Sequence, residues 1–142
     1  MKALRSILAF VIGAAVSMFF IVLVEGVNES IWPWPAGVDK SDMKICLAYF
    51  VSLPATAFVI GVVGWSLAAL CGPWVATRLG TNRHPAHGIA LGVLLMLMAL
   101  FNMSMLPYPL WFWAAILILL PTSLILGSLN ARSTLPPNPA MT

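Results

Sequence analysis

Glu25 closes the apolar run from Phe19 to Val24, and Glu29 follows one helical turn later on the same face. A carboxylate held at membrane depth is costly, so such acids usually face a bundle interior and handle a proton or a cation. Two acids one turn apart suit either task. Asn102, projecting inward at a similar depth, is placed to hydrogen-bond the acid, and Tyr49 with the nearby tryptophans offers ring faces to a cation. The expected ligand-binding set is therefore Glu25, Glu29, Tyr49 and Asn102. A second reading stands beside it: Glu25 lies at a helix end, where a carboxylate reaches water cheaply and serves only the membrane boundary.

Other reactive residue types are sparse. His84 and His87 flank Pro85, with no Cys, Asp or Glu near them to complete three or four metal ligands, so no metal site is expected. Ser and Thr are scattered without a paired base. No phosphate loop, nucleophile elbow or zinc-protease helix occurs, so neither an enzyme nor a cofactor is expected. Cys46 and Cys71 lie over roughly 30 Å apart along one helix and cannot pair within it. Met96, Met98, Met103 and Met105 read as adaptable packing.

The elements that carry these residues are legible from charge and hydropathy. The 142 residues are 61% hydrophobic and 8% charged, with a mean hydropathy of +1.00. That is more apolar surface than a water-soluble domain of this size can hide. Between Arg83 and Arg132 no Asp, Glu, Lys or Arg occurs. One straight helix over that stretch measures roughly 70 Å, about twice the thickness of a bilayer's hydrocarbon. Pro107-Tyr108-Pro109 must therefore turn it into a hairpin. Ser6 to Val24 and Ile45 to Thr77 are also uncharged. The expectation is an all-α membrane protein: a four-transmembrane-helix bundle in one domain over 1–132, with spans near 6–27, 45–72, 88–106 and 110–131. A disordered tail is expected over 133–142, where Pro136, Pro137 and Pro139 lie. Lys2 and Arg5 before a long apolar core resemble a secretory leader, but no small-residue cleavage site follows, so the first span is expected to be retained.

Lys2, Arg5, Arg78, Arg83 and Arg132 fall at one set of span ends, and only Lys40 and Lys44 at the other. This asymmetry predicts both termini in the cytoplasm, as for a multi-pass protein of a cell inner membrane. The net charge of +3 sits at span ends, where anionic headgroups explain it, so lipid and not nucleic acid is the expected partner. Asn28-Glu29-Ser30-Ile31-Trp32-Pro33-Trp34-Pro35 and Asn102-Met103-Ser104-Met105-Leu106-Pro107-Tyr108-Pro109 share the frame Asn-x-Ser-x-x-Pro-aromatic-Pro. Leu53-Pro54-Ala55-Thr56 matches Leu120-Pro121-Thr122-Ser123. Together they point to two parallel-repeat helical hairpins.

Helices in lipid associate where small residues let backbones approach. Such residues recur at four-residue intervals, with Gly13, Gly64, Gly72, Gly92 and Gly127 as the expected packing positions. All fall toward the cytoplasmic side. The other half carries prolines, polar groups and bulky rings, which predicts a loosely packed outer end with a polar vestibule.

Gly64-Trp65 through Gly72-Pro73-Trp74-Val75-Ala76-Thr77-Arg78-Leu79, with the outer Pro-Tyr-Pro-Leu-Trp-Phe-Trp, resembles small four-span bacterial inner-membrane proteins. The resemblance covers about the second half of the chain and implies an architecture without an activity. Four spans with a Glu in the first also describes the small multidrug-resistance transporters. Here the Glu stands at the helix end and the charge bias fixes one orientation, so the chain is not placed among them. The leading expectation is a structural or accessory bundle that contacts itself or another membrane protein through small residues left over on span 2. The alternative is a binder of a small cation, or a proton-coupled carrier, working through Glu25.

Overall fold

A computed structural model describes residues 2–133, and these residues form helices and turns without a strand. Helix α1 spans Lys2–Ile31, α2 Met43–Ser52, α3 Ala55–Leu79, α4 Ala86–Met105 and α5 Leu110–Ser133. Of these, α1, α3, α4 and α5 are long and apolar enough to cross a membrane, which marks a multi-pass membrane protein. Their outward faces agree: Leu110, Phe101, Ile118 and Phe19 are each more than 60% exposed. Except for Ser133, which ends α5, the expected tail lies outside the described residues.

The expected span over 45–72 is corrected. Leu53 and Pro54 adopt extended backbone (ψ 137° and 159°) and split that stretch into the short α2 and the longer α3. The residue before a proline is pushed out of the helical region, and at this helix end the freed backbone groups can reach water. Pro121 stands eleven residues into α5, as Pro54 stands eleven residues after the start of α2, yet α5 continues through it. Midway along a membrane crossing a broken helix would strand its polar backbone in hydrocarbon, so the helix holds and only one bond is lost. Asp42 caps α2 by accepting the Lys44 N–H at 2.8 Å.

Helix α3 is the spine. It packs along most of its length against α1 and α5 and less extensively against α4, while α1 and α4 meet only briefly. The two hairpins are therefore not packed alike: α1 lies closely on α3, whereas α4 and α5 touch much less. Gly13 and Gly72 mark the α1–α3 crossing, where a methyl built on either would lie 2.8 Å from the other's carbonyl oxygen. Beside them the buried Ser17 hydroxyl donates to the Ala68 carbonyl at 3.0 Å. Farther along, Gly64 makes room for Val24. Gly127 of α5 lies against the Leu70 backbone, Gly92 of α4 against Leu124, and the Gly88 N–H donates to Thr77 Oγ1 at 3.2 Å. These contacts take up most of the small residues of α3, though Ala55 stays exposed and Gly61 half-buried. Ala57, Gly64, Ala68, Ala69, Gly72 and Ala76 are all buried within the chain. The outward face that α3 keeps carries mostly large side chains, Val59, Val63, Leu67 and Trp74.

The basic end is stitched by polar groups. Arg5 Nε donates to the Leu79 carbonyl at 2.9 Å, capping the C-terminus of α3. Thr81 Oγ1 donates to the Lys2 carbonyl, and His87 Nε2 lies 3.0 Å from Ser6 Oγ. His84 Nδ1 accepts the Ala86 N–H at 3.2 Å, so both imidazoles serve the turn. Asn82 and Arg83 take left-handed backbone (φ 57° and 48°) to reverse the chain there.

Candidate ligand-binding cavity

The opposite end is built from rings. Phe58 and Trp65 stand seven residues apart on one face of α3, and Gly61 lies between them. Lacking a side chain, Gly61 leaves space: a methyl there would touch only Phe112, at 3.8 Å. The Pro107-Tyr108-Pro109 turn swings Tyr108 over the first turn of α5, where its ring stacks on Phe112 with centroids 4.4 Å apart and planes 18° apart. Trp65 meets Phe112 edge-on at 5.7 Å, and Phe58 meets Tyr108 at 5.9 Å. From the α2 side Phe50 approaches Tyr108 at 5.2 Å, and Phe50 with Leu53 forms the roof. Between these groups lies a cavity of about 90 Å³, and α1 supplies its remaining wall with Val24, Glu25 and Asn28. At ~30 Å³ per water that is room for about three waters, or for one compact organic head group.

Two of the polar groups of this cavity, Glu25 and Asn28, come from α1. Asn28 Nδ2 donates to the Ala57 carbonyl at 3.1 Å, which ties α1 to α3 and fixes the amide's orientation. Asn28 Oδ1 is buried and has no hydrogen-bond partner among the described residues. Glu25 stands at the rim, exposed on its outer side, and among the described residues it makes neither an ion pair nor a hydrogen bond. Tyr108 is the third polar wall group, and its hydroxyl donates to Asn102 Oδ1 at 2.8 Å. Burial, reinforced by the Glu25 charge, holds its phenol well above the usual range, so the hydroxyl stays a donor.

Of the four residues expected to gather here, only Glu25 lines this cavity. Glu29 lies outside it and forms an exposed ion pair with Lys40, whose ammonium lies 5.5 Å from the Trp34 ring. Tyr49 also lies outside the cavity. It stacks on Trp34 at 3.9 Å and donates to the Trp32 carbonyl, fastening α2 to the loop after α1. Burial and the Glu29 carboxylate push its phenol up, against the opposing effect of Lys40. Asn102 does not reach Glu25 but lies behind Tyr108 and accepts from it. In place of a polar vestibule stands an aromatic-walled cavity whose polar groups are Glu25 and Asn28 of α1 and the Tyr108 hydroxyl. Sequence reasoning passed over Asn28, Phe58, Trp65 and Phe112 as site residues. The signals were present: Asn28 is three residues beyond Glu25 on the same helical face, and a glycine parts two rings at seven-residue spacing.

A free carboxylate, an unpaired acceptor and several aromatic rings, with no basic side chain among them, form a negative and polarisable enclosure. Such a place stabilises a cation and penalises an anion. Comparison with protein-family models, curated proteins and solved structures finds no match to this chain.

Proposed function

We propose that this is a non-enzymatic inner-membrane protein that binds a small organic cation, of the methylated ammonium class, in the aromatic cavity beside Glu25. The observation that carries this reading is the unpaired Glu25 carboxylate at the rim of a cavity walled by Phe58, Trp65, Tyr108 and Phe112. Each ring face contributes ~0.5–2 kcal/mol to a cation it contacts, the larger value where water is excluded. Asn28 Oδ1 accepts from any N–H or O–H the ligand carries. The pair of choline and 3,3-dimethyl-1-butanol, its neutral carbon isostere, separates charge recognition from simple filling. Purified protein in mild detergent is expected to show saturable quenching of tryptophan fluorescence with choline and none with the alcohol. The change should be missing in Trp65→Phe. Equal responses to the two compounds would eliminate cation recognition.

The orientation belongs to the same proposal: both termini and the Thr81–Arg83 turn in the cytoplasm, with the cavity opening outward. Its support is the placement of Lys2, Arg5, Arg78, Arg83 and Arg132 at one end of the bundle. In a variant with Cys46 and Cys71 replaced by serine, Gly37→Cys should react with an impermeant maleimide on intact cells. Asn82→Cys should react only after permeabilisation. The reverse pattern would put the cavity on the inner face.

A further inference from the structure

A second cavity, of about 190 Å³, lies deeper in the bundle, and Trp65 is a wall of both. Met18, Ala68, Met98 and Ala99 are among its linings, and its one polar lining residue, Asn102, is occupied by the Tyr108 hydroxyl. The two chambers thus share the Trp65 indole and are linked through the Tyr108–Asn102 hydrogen bond. Beside the deeper one, α1 and α4 scarcely meet, and Met18 and Met98 are 52% and 58% exposed at that seam. The chamber opens at that seam, so its apolar lining is offered to any apolar group that can enter and make contact with it. A dry apolar cavity of ~150 Å³ is already enough to hold a benzene ring.

From the shared wall we infer that the ligand is an amphiphilic ammonium: its cationic head sits by Glu25 and an apolar group of about ring size sits in the inner chamber, with Trp65 as the door between them. The inference rests on the reading that the outer cavity holds the cation. It adds a demand that reading does not make, namely that affinity grows with the apolar group. Trp65, partly exposed to both spaces, turns aside to let the ring pass. Met18 and Met98, being unbranched and flexible, adapt to it.

Calorimetry in mild detergent with tetramethylammonium and benzyltrimethylammonium tests this. The benzyl compound is expected to bind roughly tenfold tighter or more, from transfer of its ring out of water. Ala99→Leu, which fills the inner chamber, should remove that advantage and leave tetramethylammonium affinity unchanged. Met98→Trp, at the exposed seam, should do the same without disturbing the core. Equal wild-type affinities for the two compounds would overturn the inference while the cation reading stands, and binding of neither would overturn both. A benzyl advantage surviving both substitutions would place the ring elsewhere. A phospholipid with brominated chains should quench Trp65 less when benzyltrimethylammonium is present. Unchanged quenching would assign the chamber to a lipid chain and overturn the inference.

Discussion

Glu25→Gln is expected to weaken choline or tetramethylammonium binding by roughly thirtyfold, a loss of about 2 kcal/mol, while the protein remains folded. Two unit charges 4 Å apart attract by about 4 kcal/mol at an effective dielectric of 20 and by about 1 kcal/mol in water. Glu25 stands between those limits, facing the cavity on one side and exposed on the other. Glutamine keeps the shape and removes the charge, so the comparison isolates the electrostatic part. Glu29→Gln is the matched control. It removes an equal charge one helical turn away, but that charge is taken by Lys40 and does not face the rings. Choline titrations of both variants should therefore diverge, with Glu29→Gln close to the unsubstituted chain. An unchanged affinity in Glu25→Gln would leave the rings as the whole of the site and withdraw the carboxylate's role.

The contrast between the two glutamates shows where sequence reasoning stops. Their spacing places them on one helical face, and the charge they avoid, the interior of an apolar run, places them at a helix end. Neither fact says which cation will reach them. Lys40 reaches Glu29 because the loop after α1 folds back, pinned by the Trp34–Tyr49 stack and the Tyr49 bond to the Trp32 carbonyl. Those are long-range choices of a loop, with no periodicity to announce them. The helices themselves were far more legible. Uncharged stretches of bilayer length and the Pro107–Pro109 turn leave few alternatives to hairpins in lipid, because backbone polar groups there must be satisfied within each helix.

Prolines divide the same way. Pro54 and Pro121 look equivalent as letters, and each stands the same distance after the start of a helix. What separates them is depth: one lies where the chain leaves the bundle, the other halfway along a crossing. Depth is a property of the assembled fold, so a span expected over 45–72 became two helices. The cavity was half legible for a related reason. A ring, a glycine and a ring on α3 can be read as one face, but Tyr108 and Phe112 join that face only because α5 packs on α3.

The second large effect concerns the crossing that fixes where α1 presents Glu25. Gly72→Ala is expected to destabilise the protein by about 2 kcal/mol, within the ~1–3 kcal/mol that overpacking a tight interior costs. The added methyl would collide with the Ser17 hydroxyl and lie 2.8 Å from the Gly13 carbonyl oxygen. Backbone cannot yield as a side-chain tip does, so α1 and α3 must separate. Separation also stretches the Ser17 bond to Ala68, worth ~0.6 kcal/mol in a membrane bundle. Gly26→Ala is the informative partner. It adds the same methyl to the same pair of helices, at a site with nothing within 4 Å. There the better helix propensity of alanine should stabilise by up to ~1 kcal/mol. Thermal unfolding in detergent, followed by loss of the monodisperse peak, should order the three proteins as Gly26→Ala, unsubstituted, then Gly72→Ala. Choline affinity should fall in Gly72→Ala as well, because an α1 displaced from α3 carries Glu25 and Asn28 away from the rings of Phe58 and Trp65. Equal melting of the two variants would mean that α1 and α3 do not cross at Gly72, and the cavity those helices frame would lose its basis.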